Sequence, residues 1–149
     1  MYLTLDCEFG GLGSETSLLT AYFAVLDKNF NLIDELDLKL TPDNDLYVVT
    51  SQGLAVNKID LAKHGMDSMY YRSAKPKLYK FLQDNSIEAG DQLIVVGQNV
   101  KGDVDRITST IISKGSWDTY VSFRFVDTMI VARFLQLSGK IPSDIGISV

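Results

Sequence analysis

Cysteine is nearly absent from this chain: Cys7 is the only one, so no internal disulfide can form and nothing points to an oxidising compartment. Long hydrophobic runs are missing as well. No stretch approaches the ~20 apolar residues that cross a bilayer, and the N-terminus enters a strand pattern without the features of a signal peptide. Positive charge is in short supply: 14 Lys and Arg against 19 Asp and Glu leave a net charge of -5. That excludes coating nucleic acid by bulk electrostatics. It leaves room for a local site where metal ions neutralise phosphate. Internal repeats, low-complexity tracts and linkers are lacking too. What remains is one domain: 149 residues at 46% hydrophobic and 22% charged can build a single core and not comfortably two. A cytoplasmic protein with no membrane partner is the expectation.

Residues 2–8 alternate, with Tyr2, Thr4, Asp6 and Glu8 on one side of a strand and Leu3, Leu5 and Cys7 on the other. "SLLTAYFAVLD" (17–27) and "FNLIDELDLKL" (30–40) read as two more strands joined by a short polar turn. Helical periodicity follows. "SQGLAVNKIDLAKHG" reads as one or two helices ending at Gly65, and "SAKPKLYKFLQDN" as another with Pro76 in its first turn. "DQLIVVGQN" is a short buried strand, with a helix after it through about Lys114 that Gly115 can cap. "SFRFVD" reads as a fifth strand, and "DTMIVARFLQLSG" as a helix from Asp127 to a stop at Gly139. Three strands before the first helix argue against a Rossmann or flavodoxin sheet, which alternates from its start. An α/β fold with a mixed five-stranded sheet, a three-strand antiparallel meander plus two parallel strands flanked by helices, is expected.

Why would a strand bound for the core finish in acids? Strand geometry puts Asp6 and Glu8 side by side on one face, and the glycines at 10, 11 and 13 let the chain leave the sheet without bulk. Two neighbouring carboxylates are costly unless a cation offsets them, and a hard, oxygen-seeking ion suits that task. Two solvated acids at a strand end are the plainer reading. A second strand ends similarly in "VVGQNVKGDVD" (95–105), where Asp103 and Asp105 enter a helix whose dipole favours negative charge. Helical phase does not choose between them, since they flank the stripe of Val104, Ile107 and Ile111. Asn99 is a helix cap or a bridge across the strand ends.

Together these segments resemble the DnaQ-like family of 3′→5′ exonucleases, the DEDD group of the ribonuclease H-like superfamily. "LDCEFGGLG" (5–13) is similar to the first exonuclease motif, with Asp6 and Glu8 in its Asp-x-Glu positions. "GQNVKGDVD" (97–105) is similar to the second, His-Asn-x-x-Phe-Asp: Asn99 matches the asparagine and Asp103 the acid, while Gln98 and Gly102 replace the histidine and phenylalanine. The resemblance implies two Mg²⁺ or Mn²⁺ ions ~4 Å apart. Asp6 would be shared between them, with Glu8 on the nucleophile side and Asp103 on the other. It further implies release of nucleoside 5′-monophosphates from the 3′ end of single-stranded DNA or RNA. Phe9 and Leu12 would stack on or wedge beside the terminal base, with Asn99 in the same substrate site.

The third motif of that family, a histidine or tyrosine and a last aspartate on a closing helix, has no counterpart before the chain stops at "PSDIGISV". His64, the only histidine, does not match it and reads as a packing or surface residue; Asp144 comes too early to be the last acid. Residues 1–149 are therefore expected to be a single exonuclease-like domain lacking its C-terminal helix, with the apolar face so exposed leading to a homodimer, to marginal stability or to a segment borrowed from a partner chain. A catalytically inactive module that binds nucleic acid or a protein competes with the enzyme. A haloacid-dehalogenase-like phosphotransferase is disfavoured because no Asp-x-Asp-x-Thr follows the first strand. Between 58 and 80, Lys58, Lys63, Arg72, Lys75, Lys77 and Lys80 outnumber Asp60 and Asp67; the stretch is a strand guide or the wet face of a helix.

Overall fold

The computed structural model of the chain describes residues 1–142. Three strands open it: β1 (Tyr2–Phe9), β2 (Leu18–Leu26) and β3 (Leu32–Thr41). After α1 (Ser51–Asn57) and α2 (Leu61–Asp67) come a two-residue strand β4 (Met69–Tyr70) and the long α3 (Tyr71–Ala89). The second half runs β5 (Leu93–Gly97), α4 (Val100–Thr110), α5 (Lys114–Tyr120), β6 (Val121–Asp127) and α6 (Thr128–Leu137). All six strands form one sheet in the order β4-β3-β2-β1-β5-β6. β1, β2 and β3 are antiparallel neighbours, whereas β5 joins β1 in parallel and β6 joins β5 in parallel.

The pleat explains where the core sits. Leu3, Leu5 and Cys7 pair with Val25, Phe23 and Ala21, so the inward residues of β1 and β2 make one buried face. Leu38 and Leu40 extend it on β3, and Ala74, Leu78, Phe81 and Leu82 of α3 cover it together with Ile107 of α4 and Trp117 of α5. Each fully buried aliphatic side chain here contributes roughly 1.5–3 kcal/mol relative to exposure. The opposite face over the meander carries exposed Asp6, Tyr22, Glu35 and Asp37.

Four local features differ from the sequence reading. β4 is a sixth strand, parallel to β3, and two residues are too few to show alternation. α2 runs through Gly65 to Asp67 and ends at Ser68, which is extended; Asp60 caps its start, accepting from the Ala62 and Lys63 amides. Pro76 lies inside α3 rather than in its first turn, since the helix begins at Tyr71. The helix after β5 stops at Thr110; Ser113 caps a new one, placing Gly115 inside α5. Asp127 and Gly139 bound α6 as read: the Asp127 carboxylate accepts from two amides, and Gly139 has φ 69°. Asp144 lies outside the described residues.

β6 and α6 are the least covered part of the fold. β6 is an edge strand, and Phe123 is 76% exposed. α6 buries none of its residues, leaving Ile130, Val131, Phe134 and Leu137 in contact with solvent. Among the described residues no helix is long and apolar enough to cross a membrane.

The end of β1 is seated by backbone on backbone. The Gly10 amide donates to Ser17 O at 2.8 Å, the Thr50 amide donates to Gly10 O at 2.7 Å, and α1 then lays Gly53 directly against Gly10. A Cβ on Gly53 would lie 2.3 Å from Gly10 O. Gly53→Ala should therefore cost about 1–3 kcal/mol, the usual penalty for overpacking. A urea titration tests it, and an unchanged midpoint would show that α1 yields freely.

Candidate active site

Parallel pairing of β1 with β5 brings their C-terminal ends out on the same side of the sheet, at the ends of two interior strands. Asp6 and Glu8 sit on the last turns of the β1 pleat with Cys7 between them, buried and facing the core. Asp103 arrives from the first turn of α4, directly after β5. Burial pushes the Asp103 carboxyl up from 3.8 to about 6, and the charges of Asp6 and then Glu8 push it the same way. Glu8 is raised by burial and by Asp6. The Cys7 thiol, raised first by burial and then by Asp103, Asp6 and Glu8, stays neutral. The three carboxylates thus share one electrostatic field. They do not converge on a point: among the described residues no three His, Cys, Asp or Glu side chains form a coordinating set. Like charges resist closer approach.

The structure also separates the two acids that helical phase left open. Asp105 is exposed and paired with Lys101, one helical turn away, whereas Asp103 is half-buried and turned toward β1. Asn99 takes the left-handed conformation at φ 50° and makes no side-chain cap bond, so its carboxamide is not spent on the helix. Gln98, Asn99, Gly102 and Asp103 line one side of a hollow of about 440 Å³, and Phe9, Leu12 and Gly13 line the other. The same loop walls a second hollow of about 350 Å³, closed by Thr50, Gly53 and Asn57. Leu12 projects fully into solvent, while Phe9 is half-buried.

Residues that the motif reading passed over hold this wall. Asn57 Nδ2 donates to Phe9 O at 2.9 Å. Arg106 lies with its guanidinium 4.9 Å from the Phe9 ring centre and donates to Thr16. A cation three residues after an acid on a helix carries no signal in sequence, and neither does an asparagine at a helix end. His64 is buried, with Nε2 2.9 Å from Leu40 O and its ring edge-on to Tyr47, a packing role far from the acids. In the basic stretch, Lys63, Arg72 and Lys80 are engaged by Asp60, Asp43 and Asp84, which favours a solvated face over a strand guide.

No family model matches the chain, and no curated protein matches it. Solved structures do. E. coli exonuclease I in complex with a dT13 oligonucleotide superposes with a TM-score of 0.73 at 15% identity, over 99% of this chain and 31% of that one. The exonuclease I/SSB-Ct complex gives 0.68 at 13% identity, over 99% and 32%. A moderately thermophilic exonuclease I from Methylocaldum szegediense gives 0.67 at 13% identity, over 99% and 31%. The chain therefore has the ribonuclease H-like α/β fold of these exonucleases and spans less than a third of their length. At such identity the likeness shows the fold alone.

Because native Asp103 holds its proton to a higher pH than the unfolded chain, its stabilising contribution is full below about 4 and is lost as pH rises through about 6. Asp103→Asn should leave the urea midpoint nearly unchanged at low pH and raise it at pH 8. Carboxyl NMR should find Asp103 titrating near 6 and Asp6→Asn moving it down. A normal Asp103 titration would mean the carboxylates are insulated from one another.

Proposed function

We propose that this chain is a metal-dependent 3′→5′ exonuclease domain that shortens single-stranded DNA and releases nucleoside 5′-monophosphates. The observation that supports it most directly is the placement of Asp103, in the first turn of α4, beside an open hollow next to the end of β1 that carries Asp6 and Glu8. Its carboxyl is raised first by burial and then by those two charges. The donor chemistry, all carboxylate oxygen, is the kind that Mg²⁺ or Mn²⁺ takes. An ion would have to draw the three side chains into the coordinating set they do not form among the described residues. Asp6, Glu8 and Asp103 would hold the ions. When bound there, such ions supply charge neutralisation at the scissile phosphate and a more acidic water. The chain's own residues orient the strand. Phe9 and Leu12 offer apolar surface to the last base without choosing its identity, and the Asn99 carboxamide is free to bond the sugar–phosphate. DNA is preferred as substrate because the superposed exonuclease I holds a dT13 oligonucleotide.

A non-catalytic binding module is the second reading, favoured by the lack of a coordinating set among the described residues and by Gln98 and Gly102 in the second motif. Incubation with a 5′-labelled single strand and Mn²⁺ separates the two. The enzyme gives a ladder of shortened products, reduced at least about 100-fold by Asp6→Ala, as for other preorganised charge in an active site. An intact strand that is nevertheless bound would leave only the module.

The proposal extends to assembly. The free edge of β6, with Phe123 and Phe125 beside the Trp117 hollow, and the bare apolar stripe of α6 suit a second copy of the chain. An edge strand can pair with itself about a two-fold axis, which makes one surface serve both partners. Sedimentation should show a dimer that Phe123→Asp combined with Phe134→Asp converts to monomer. A wild-type monomer would remove the dimer.

A further inference from the structure

Arg106 sits on α4 one turn beyond Asp103 and reaches across to the loop that follows β1. Its guanidinium lies 4.9 Å from the Phe9 ring centre. Its Nη2 donates both to the Thr16 carbonyl and, at 3.1 Å, to Thr16 Oγ1. Thr16 is itself 5% exposed, with Oγ1 2.8 Å from both Gly11 O and Gly13 O and its amide donating to Gly13 O at 3.1 Å. One side chain thus joins the helix that carries Asp103 to both ends of the 9–16 loop: the ring at its start and the turn at its close. The loop between is glycine-rich, with residues 10, 11 and 13 all Gly. A segment of that composition does not hold a fixed distance from a neighbouring helix unaided. Arg106 lines the hollow beside Asp103 and, on its other side, a hollow of about 560 Å³ lined by Ser14, Thr16 and Tyr71.

We infer that Arg106 is a positioning residue that sets the distance between the Phe9 wall and Asp103, and so decides how the terminal nucleotide is presented to the carboxylates. The inference rests on the exonuclease reading above. A planar fork is needed for the role. The guanidinium lies over the Phe9 ring while its Nη2 donates to a carbonyl and a hydroxyl, a spread of contacts that the compact lysine ammonium does not reproduce. Arg106→Lys should therefore fail to restore what Arg106→Gln loses.

The test uses single-stranded DNA with 2-aminopurine either at the 3′ terminus or several bases inward, titrated without divalent metal so that nothing is cleaved. Wild-type protein should quench the terminal probe more than the internal one. Arg106→Gln should keep overall affinity within about threefold, since one desolvated contact among several is lost, yet lose most of the terminal quench. In Mn²⁺ its kcat should fall about 10–100-fold at nearly constant KM, as expected when reacting groups are misplaced by an ångström or so. A full terminal quench with wild-type kcat, or an equal loss at both probe positions, overturns the inference, because a mere brace would weaken every contact alike. Thr16→Val, which removes the hydroxyl leg and leaves the arginine in place, makes the same comparison should Arg106→Gln fold poorly. A wild-type protein that binds neither oligonucleotide defeats the exonuclease reading itself, before any variant is compared.

Discussion

The placement of Asp103, half-buried at the start of α4, beside Asp6 and Glu8 at the end of β1 is the constraint around which this site is arranged. Burial first, and then the charges of Asp6 and Glu8, raise the cost of ionising Asp103, the most enclosed of the three acids. They stay together because the elements that carry them are bound by stronger forces. β1 lies inside the sheet, bonded on both sides, and its inward residues Leu3 and Leu5 share one core with Val100 and Ile107 of α4. The hydrophobic effect holds the frame, and the frame holds the charges.

Around that end of β1 the backbone is arranged to leave space. Gly10 and Gly53 touch without side chains between them, and Asn57 fixes the last carbonyl of β1. The loop beyond becomes a wall shared by two hollows rather than a cover over the acids. Arg106 ties that wall to the helix bearing Asp103, so the apolar Phe9 side of the loop and the carboxylates are joined by direct contacts. At the β6 edge of the sheet the opposite holds: β6 and α6 carry apolar side chains that nothing among the described residues covers.

Much of the frame was legible in the sequence because it rests on local periodicity. The alternation of β1 foretold Cys7 inward with Asp6 and Glu8 outward, and the caps at Asp127 and Gly139 marked α6. Where local signals were weak or ambiguous, the reading drifted. A two-residue strand has no pattern, and a helix break at Thr110 looks like continuation when Ile111 prolongs the apolar stripe of Val104 and Ile107. The choice between Asp103 and Asp105 depended on the direction in which α4 leaves β5, a matter of packing against β1.

Sequence alone determined which residues could carry charge to a strand end, and that the chain would form one mixed sheet after a three-strand meander. Only the tertiary structure decided that Asp103 faces Asp6 and Glu8 while Asp105 turns to Lys101, that His64 belongs to the core, and that Arg106 braces Phe9. The physical reason is range: periodicity and capping act over a few residues, whereas Arg106 and Thr16 meet across ninety positions of chain.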